Sequence, residues 1–291
     1  MELLAGVRAG CRQIAEQARS VRIDADRLGV IEPGPAPALD PTRHYLEGTP
    51  EDVAAYLLTL DAINFGSGWF PTLRKRPGCS GYFTVAWALA DHFREHGPWS
   101  AAELCALDAA TVAGVLGQAP DHELMGLYAQ ALNDLGRFLD GRGALEVVAA
   151  AGGSAERLAE VLAHSMPFFA DRGFYKRAQI AAHDLHLAGV ADFPDVHRLT
   201  IFADNLVPHV LRVDGVLHYS DELATRIDAG IELAAGSPLE QEIRACAVHA
   251  CEALARRAGV PPATLDNWLW NRGQTPRYSE RRAHVTRTVY Y

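Results

Sequence analysis

The sequence has no run of about 18 apolar residues, which excludes a membrane-spanning helix as its reading. Cysteine is scarce and odd in number. Cys11, Cys79, Cys105, Cys246 and Cys251 include no C-x-x-C pair, which argues against a disulfide framework and a structural zinc site and fits a reducing, cytoplasmic setting. An overall positive charge is also missing: the net charge is −9, whereas a protein that wraps a nucleic-acid duplex shows a basic face. There is no internal repeat, no low-complexity tract and no evident linker. Period-2 alternation is rare. Its one clear instance, LRVDGVLHY over residues 211–219, predicts a short β-hairpin or ribbon. The first twenty residues carry charges throughout, too many for a secretory segment, and predict an amphipathic helix.

What is present is helical signal. Hydrophobic residues make up 49% of the 291 and charged residues 22%, enough for a sizeable core and too apolar for a disordered chain. Thr49-Pro50-Glu51-Asp52 places an N-cap, a proline at the first helical position and an acidic first turn in order. Ser100 to Glu103 and Ser237 to Glu240 read as capping boxes, and Ser220-Asp221-Glu222 as a further cap. Leu239, Ile243, Ala247, Ala250 and Leu254 share a face of a helix that should stop near Gly259. Residues 84–93, 121–139 and 154–165 also read as helices, and the proline- and glycine-rich stretch 28–48 as irregular. The expected fold is mostly α: one compact domain over 1–291, with two helical lobes around a central pocket and a short β-ribbon.

Four segments hold polar or aromatic residues that folding alone does not demand. In residues 60–71 (LDAINFGSGWFP) a helix breaks at a Gly-Ser-Gly turn flanked by large aromatics. The turn either lets main chain approach a flat ligand beside Phe65 and Trp69, or is a helix end with core aromatics. In GFYKRAQ over 173–179, Lys176 and Arg177 enter a helix at its positive end, where an anion would relieve them and solvent would serve equally. In LTIFADNLVPHV over 199–210, Asp204 interrupts an apolar run. A carboxylate there is an N-cap, a functional acid, or both. The last segment is LDNWLW at 265–270 and an arginine-rich stretch ending in TRTVYY. A terminus rich in aromatics and β-branched residues should pack down and bring its arginines to the body of the protein. Residues 271–291 hold Arg272, Arg277, Arg281, Arg282 and Arg287 against one acid, Glu280. That tail is +4, which leaves the other residues at −13. Such a cationic patch on an acidic protein suits a small anion such as one phosphate, or is a solvated tail.

Taken together, LDAINFGSGWFP, YKRAQIAAHDL, FADNLVPHVLRVDGVLHYS with its continuation GSPLEQEIRA, and LDNWLW followed by HVTRTVYY resemble the queuosine-salvage family, in the family's order and over roughly residues 40–291. One departure is visible: many relatives carry Tyr-Arg after the aspartate, where this chain has Asn205-Leu206. The resemblance implies a helical fold similar to helix-hairpin-helix DNA glycosylases, with a hairpin leading from Lys176 towards a helix that bears Asp204. It also implies hydrolysis of the N-glycosidic bond of queuosine 5′-phosphate to release queuine, a 7-deazaguanine base of tRNA modification. No metal or organic cofactor, stable nucleic-acid partner or membrane is implied, and the protein is expected to be a monomer.

Under that resemblance Asp204 is the catalytic candidate, because glycoside cleavage builds positive charge on the sugar that a carboxylate near C1′ stabilises. Asn64, Phe65 and Trp69 are candidates for the base, which has carbon where guanine has N7 and so must be stabilised through its pyrimidine ring. The side-chain amine of queuosine calls for a carboxylate; Asp61, Asp184, Asp228 and Asp266 are available, and Asp228 is the substrate-binding candidate among them. The 5′-phosphate calls for Arg287, with Lys176, His284 and Tyr291 as further candidates. Two other readings stay open. His183-Asp184, with Asp91-His92 in reverse, suggests an HD-type metal-dependent phosphohydrolase acting on nucleotides. The arginine tail suggests a non-enzymatic nucleotide- or nucleic-acid-binding helical module.

Overall fold

The structure, a computed structural model, describes residues 2–29, 31–35 and 38–291. Val30, Ala36 and Pro37, within the stretch expected to be irregular, lie outside the described residues. The helices are α1 (Leu3–Gln17), α2 (Pro50–Ala62), α3 (Gly81–His96), α4 (Ala101–Ala106), α5 (Ala109–Leu116), α6 (Glu123–Leu139), α7 (Ala144–Ala149), α8 (Ala155–Ser165), α9 (Lys176–Leu187), α10 (Leu206–Val213), α11 (Asp221–Asp228), α12 (Pro238–Ala258), α13 (Pro262–Gly273) and α14 (Pro276–Ser279). Two strands, β1 (Val21–Ile23) and β2 (Leu217–Tyr219), pair antiparallel with Val21 opposite Tyr219. The mostly helical expectation holds. No helix among the described residues is long and apolar enough to cross a membrane.

The caps explain where helices begin. Thr49 and Asp52 close a reciprocal box at α2, and Ser100 and Glu103 close another at α4. At α12 the expected box is only half formed. The Ser237 side chain accepts from the Glu240 N–H, but the Glu240 carboxylate turns to the Gly236 N–H and to Arg244. A buried guanidinium one turn along the helix competes for that carboxylate and wins it. The expected short ribbon is present, but it is shorter than residues 211–219 and is not a local hairpin. Residues to Val213 continue α10, because Val207, Val210 and Leu211 bury at helical spacing. Only Leu217–Tyr219 is strand, and its partner comes from residues 21–23 rather than from a local hairpin.

The chain divides into two compact units. The first comprises residues 1–37, 172–176 and 197–288. Its core surrounds α12, against which α1, α10 and α13 pack through Val7, Cys11, Val210, Ile243, Leu254 and Leu265. The second comprises residues 38–171, 177–196 and 289–291. There α6 buries Leu124, Tyr128, Leu132 and Leu135, with α2, α4 and α5 packed on it. Each fully buried leucine contributes about 1.5–3 kcal/mol, so the leucine stripe of α6 is a large stabilising term of its unit.

Charged side chains tie loops to these helices. In the second unit, Asp195 accepts the Ser154 hydroxyl at 2.7 Å and the Ala155 N–H at 2.7 Å, so a distant carboxylate caps α8. Replacing Asp195 by Ala is expected to cost about 1–3 kcal/mol, read as a lower urea midpoint with unchanged slope. A midpoint equal to wild type would show that the cap carries no stability.

Candidate active site

In the first unit the chemistry gathers on the irregular segment before α10. Asp204 is 6% exposed. Its Oδ1 accepts the N–H groups of Leu206 at 2.8 Å and Val207 at 2.9 Å. The carboxylate is thus a cap, as the apolar run around it requires, and both amides fall on one oxygen. Among the described residues nothing donates to Oδ2. The cap fixes the direction of the carboxyl group and leaves its second oxygen for other chemistry.

The backbone leading to Asp204 is held from both sides. Asp266 on α13 accepts the Phe202 N–H at 2.8 Å. Arg244 on α12 donates from Nε to the Ala203 carbonyl at 2.9 Å. Neither role was visible in the sequence. The available signal was Glu240 and Arg244 sharing the apolar face of α12, where two charges one turn apart must be paired or used. His284 is buried, and its carbonyl lies 3.5 Å from the Asn205 amide. Burial, then the charges of Arg244 and His209, pushes the His284 imidazole down to about 3, so it is neutral near pH 7. A neutral imidazole offers a phosphate a hydrogen bond but no charge.

The terminus packs down as expected and brings Arg272 and Arg277 to the Asp214 carboxylate, at 3.2 and 3.0 Å, while Arg287 stays outside. Thr286 and Thr288 are buried in alternation with an exposed Arg287. Arg287 faces Glu232, with Nε 3.8 Å from the carboxylate. Arg277, Arg281 and Arg282 are exposed as well. Alternation in the extended segment 286–288 sends every second side chain outwards, and Arg287 takes that place. Asp228 is exposed and receives Arg212 on both oxygens, at 3.0 and 3.2 Å. Lys176 is 6% exposed at the start of α9, after Gly173 at φ +91° and Tyr175 at φ +51°.

In the second unit the Gly-Ser-Gly turn follows α2. Gly66 has φ +112°, and a Cβ there would meet Leu124 at 2.9 Å, so the position needs glycine. Its N–H donates to the Tyr291 oxygen at 3.1 Å, and Tyr291 is buried. Phe65 is enclosed: Tyr128 and Phe168 meet it edge-on at 5.0 and 5.8 Å, and Arg177 lies 4.7 Å from its centroid. Trp69 is buried and donates from Nε1 to Glu123 at 2.8 Å. Both aromatics therefore do packing work in this unit. Asn64 is half-buried and donates to Asp61 at 3.3 Å.

Arg177 was expected either at an anion or in solvent, and it is at neither. It is buried and donates to the carbonyls of Asp61, Ala62, Phe168 and Val289. Burial lowers its guanidinium to about 9, against the pull of Asp171 and Asp61, and it stays cationic at neutral pH. His183 lies 4.0 Å from Asp184, and burial with His186 pushes its imidazole down to about 4. Among the described residues no group of three or more His, Cys, Asp or Glu is placed to hold a metal ion, so the HD pair lacks the further ligands a phosphohydrolase centre requires.

Residues 43–291 match the family model described as Queuosine salvage protein. A Sphaerobacter thermophilus protein named queuosine 5′-phosphate N-glycosylase/hydrolase is 34% identical over 98% of this chain and 98% of its own length. Proteins of that name from Dictyostelium discoideum and Mus musculus are 37% and 31% identical, over 40% and 55% of this chain and 40% and 56% of their own lengths.

His183 and His284, the most strongly depressed of five histidines that burial pushes down, give stability a defined pH dependence. Below the ordinary imidazole value of about 6.5 the unfolded chain takes up protons that folded His183 and His284 refuse. Stability is therefore complete above about pH 6.5 and is lost as pH falls towards the two folded values, by up to about 1.4 kcal/mol per pH unit for each group. His284→Asn is expected to flatten the stability–pH curve between about pH 6.5 and 5 in urea titrations. A slope identical to wild type would mean that His284 titrates normally in the folded protein.

Proposed function

The chain belongs to the queuosine salvage protein family, and on that premise we propose that it hydrolyses the N-glycosidic bond of queuosine 5′-phosphate, with Asp204 acting at C1′. The observation that supports Asp204 is its divided carboxylate: one oxygen is held by two helix-terminal amides and the other has no protein donor among the described residues. As the bond between C1′ and the base breaks, positive charge spreads over C1′ and the ring oxygen, and an oriented carboxylate offsets it. Water adds its oxygen to C1′. One of its protons stays on that oxygen as the new C1′ hydroxyl, and the other, taken up first by Asp204 or by solvent, goes to the departing queuine. Because the base lacks N7, its negative charge must be spread into the pyrimidine ring. We assign its reading to Asn64, half-buried at the turn after α2, ahead of the enclosed Phe65 and Trp69. A helix-hairpin-helix ancestry from Lys176 to Asp204 belongs to the same reading.

For the phosphate we place Lys176 ahead of Arg287. Lys176 is buried at the positive end of α9, where a desolvated ammonium interacts strongly with an anion, whereas Arg287 is exposed and paired to Glu232. His284 and the Tyr291 hydroxyl are secondary partners. Asp228 is the weakest of the carboxylates for the substrate amine, since Arg212 already engages both its oxygens at the surface. Asp266 is engaged at Oδ1 by the Phe202 amide, and Asp61 and Asp184 are buried in the second unit.

Asp204→Asn keeps an oxygen for the two amides and removes the charge. It is expected to lower kcat for queuine release by about 10²-fold or more, with a stability change under about 1 kcal/mol. Normal turnover of queuosine 5′-phosphate by this variant would refute the mechanism. Lys176→Met should erase most of the preference for the 5′-phosphate over the free nucleoside in kcat/KM, while Arg287→Ala should change it by less than about threefold, as a screened surface charge does. The opposite ranking would return the phosphate to Arg287.

A further inference from the structure

Residues 201–204 are buried and belong to no helix or strand, so their peptide groups need partners from elsewhere. The carbonyl of Ala203 belongs to the peptide that joins Ala203 to Asp204. Its orientation helps set where the Cα–Cβ bond of Asp204 points. One side chain holds that carbonyl: Arg244, 3% exposed, whose Nε donates to it at 2.9 Å.

The guanidinium is itself held in plane. Its Cζ lies 3.9 Å from the centroid of the Phe174 ring, and Nη1 reaches Glu240 at 3.2 Å. Glu240 is equally buried, and its other oxygen accepts the Gly236 N–H at 3.1 Å. The chain of contacts therefore runs from the start of α12, through Glu240 and Arg244, to the peptide before Asp204. A lysine would supply a charge and a donor but no plane to stack on Phe174 and no second fixed N–H for Glu240.

A pair this deeply buried is weak evidence for stability, because desolvation consumes most of its attraction. It makes physical sense if the fixed direction of the Arg244 Nε–H matters. Resting on the reading of Asp204 as the acid at C1′, we infer that Arg244, oriented by Glu240, is a positioning residue that sets the aim of the Asp204 carboxylate. Arg244 acts through the backbone of Asp204 and not on substrate. The amide pair on Oδ1 anchors the side chain from the helix, and Arg244 anchors the main chain from the opposite direction.

The test compares Arg244→Lys, Glu240→Gln, Asp204→Asn and the double variant Arg244→Lys/Asp204→Asn, all in the full-length chain. Kinetics with queuosine 5′-phosphate are corrected for the folded fraction measured by circular dichroism. Arg244→Lys is expected to lower kcat at least tenfold with KM within twofold, and Glu240→Gln to move kcat in the same direction by less. In the Asp204→Asn background Arg244→Lys should change the residual rate by less than twofold, because a residue that acts only through the carboxylate has nothing left to aim. Additive losses overturn the inference, as does a rise in KM at constant kcat, which would make Arg244 a substrate ligand. If Arg244→Lys does not fold, Glu240→Gln decides: reduced kcat at constant KM supports the inference and wild-type kcat overturns it. Normal turnover by Asp204→Asn sinks the reading of Asp204 itself, whereas an inactive Asp204→Asn beside a fully active Arg244→Lys sinks only the role of Arg244.

Discussion

Buried backbone in irregular segments and at helix ends must still satisfy its N–H and C=O groups, and both units meet this demand by committing buried charges to main chain. In the first unit Asp266 takes the Phe202 N–H, Arg244 the Ala203 carbonyl and Asp204 the amides of Leu206 and Val207. In the second, Arg177 alone donates to four carbonyls from three separate stretches of chain. Leaving any of these groups unpaired would cost about 1–3 kcal/mol apiece, comparable with deleting a buried methyl-rich side chain. The irregular segments are therefore rigid because their peptide groups are occupied.

That constraint shapes the chemistry. A carboxylate used only as a cap could turn either oxygen to the helix and would need no fixed main chain before it. Asp204 has both amides on one oxygen, a held peptide on its N-terminal side and a second oxygen to which no described residue donates. Pre-orientation of this kind is what a glycosyl transition state rewards, since the cation at C1′ is short-lived and the stabilising charge must already be in place. The folding role and the proposed chemical role fall on different oxygens of the same group, so neither would compromise the other.

Much of the helical plan was legible because it rests on local rules. Thr49, Ser100, Ser220 and Ser237 each cap a helix, Gly259 ends α12 at φ +69°, and the apolar stripe from Ile243 to Leu254 faces a core. The failures share a cause. The strand at 217–219 was sought with a local partner, while its ladder is closed by residues almost two hundred positions earlier. The Glu240 box failed because Arg244 outbid the local amide. The count of arginines near the terminus leaves a phosphate site and a solvated tail both open, because side-chain direction in an extended segment follows residue parity, and parity puts Arg287 outside.

Asp204 was recognisable in the sequence as an acid inside an apolar run, and the family motif around it was recognisable as a string. Both depend only on order along the chain, as do helix periodicity and capping. Which of its oxygens caps α10, which cations serve backbone rather than anion, and that Arg244 and Asp266 flank the aspartate were decided by tertiary structure alone. Those facts depend on directions and distances between residues tens of positions apart. Hydrogen bonds are short and directional, so no pattern of residue types along one dimension specifies them.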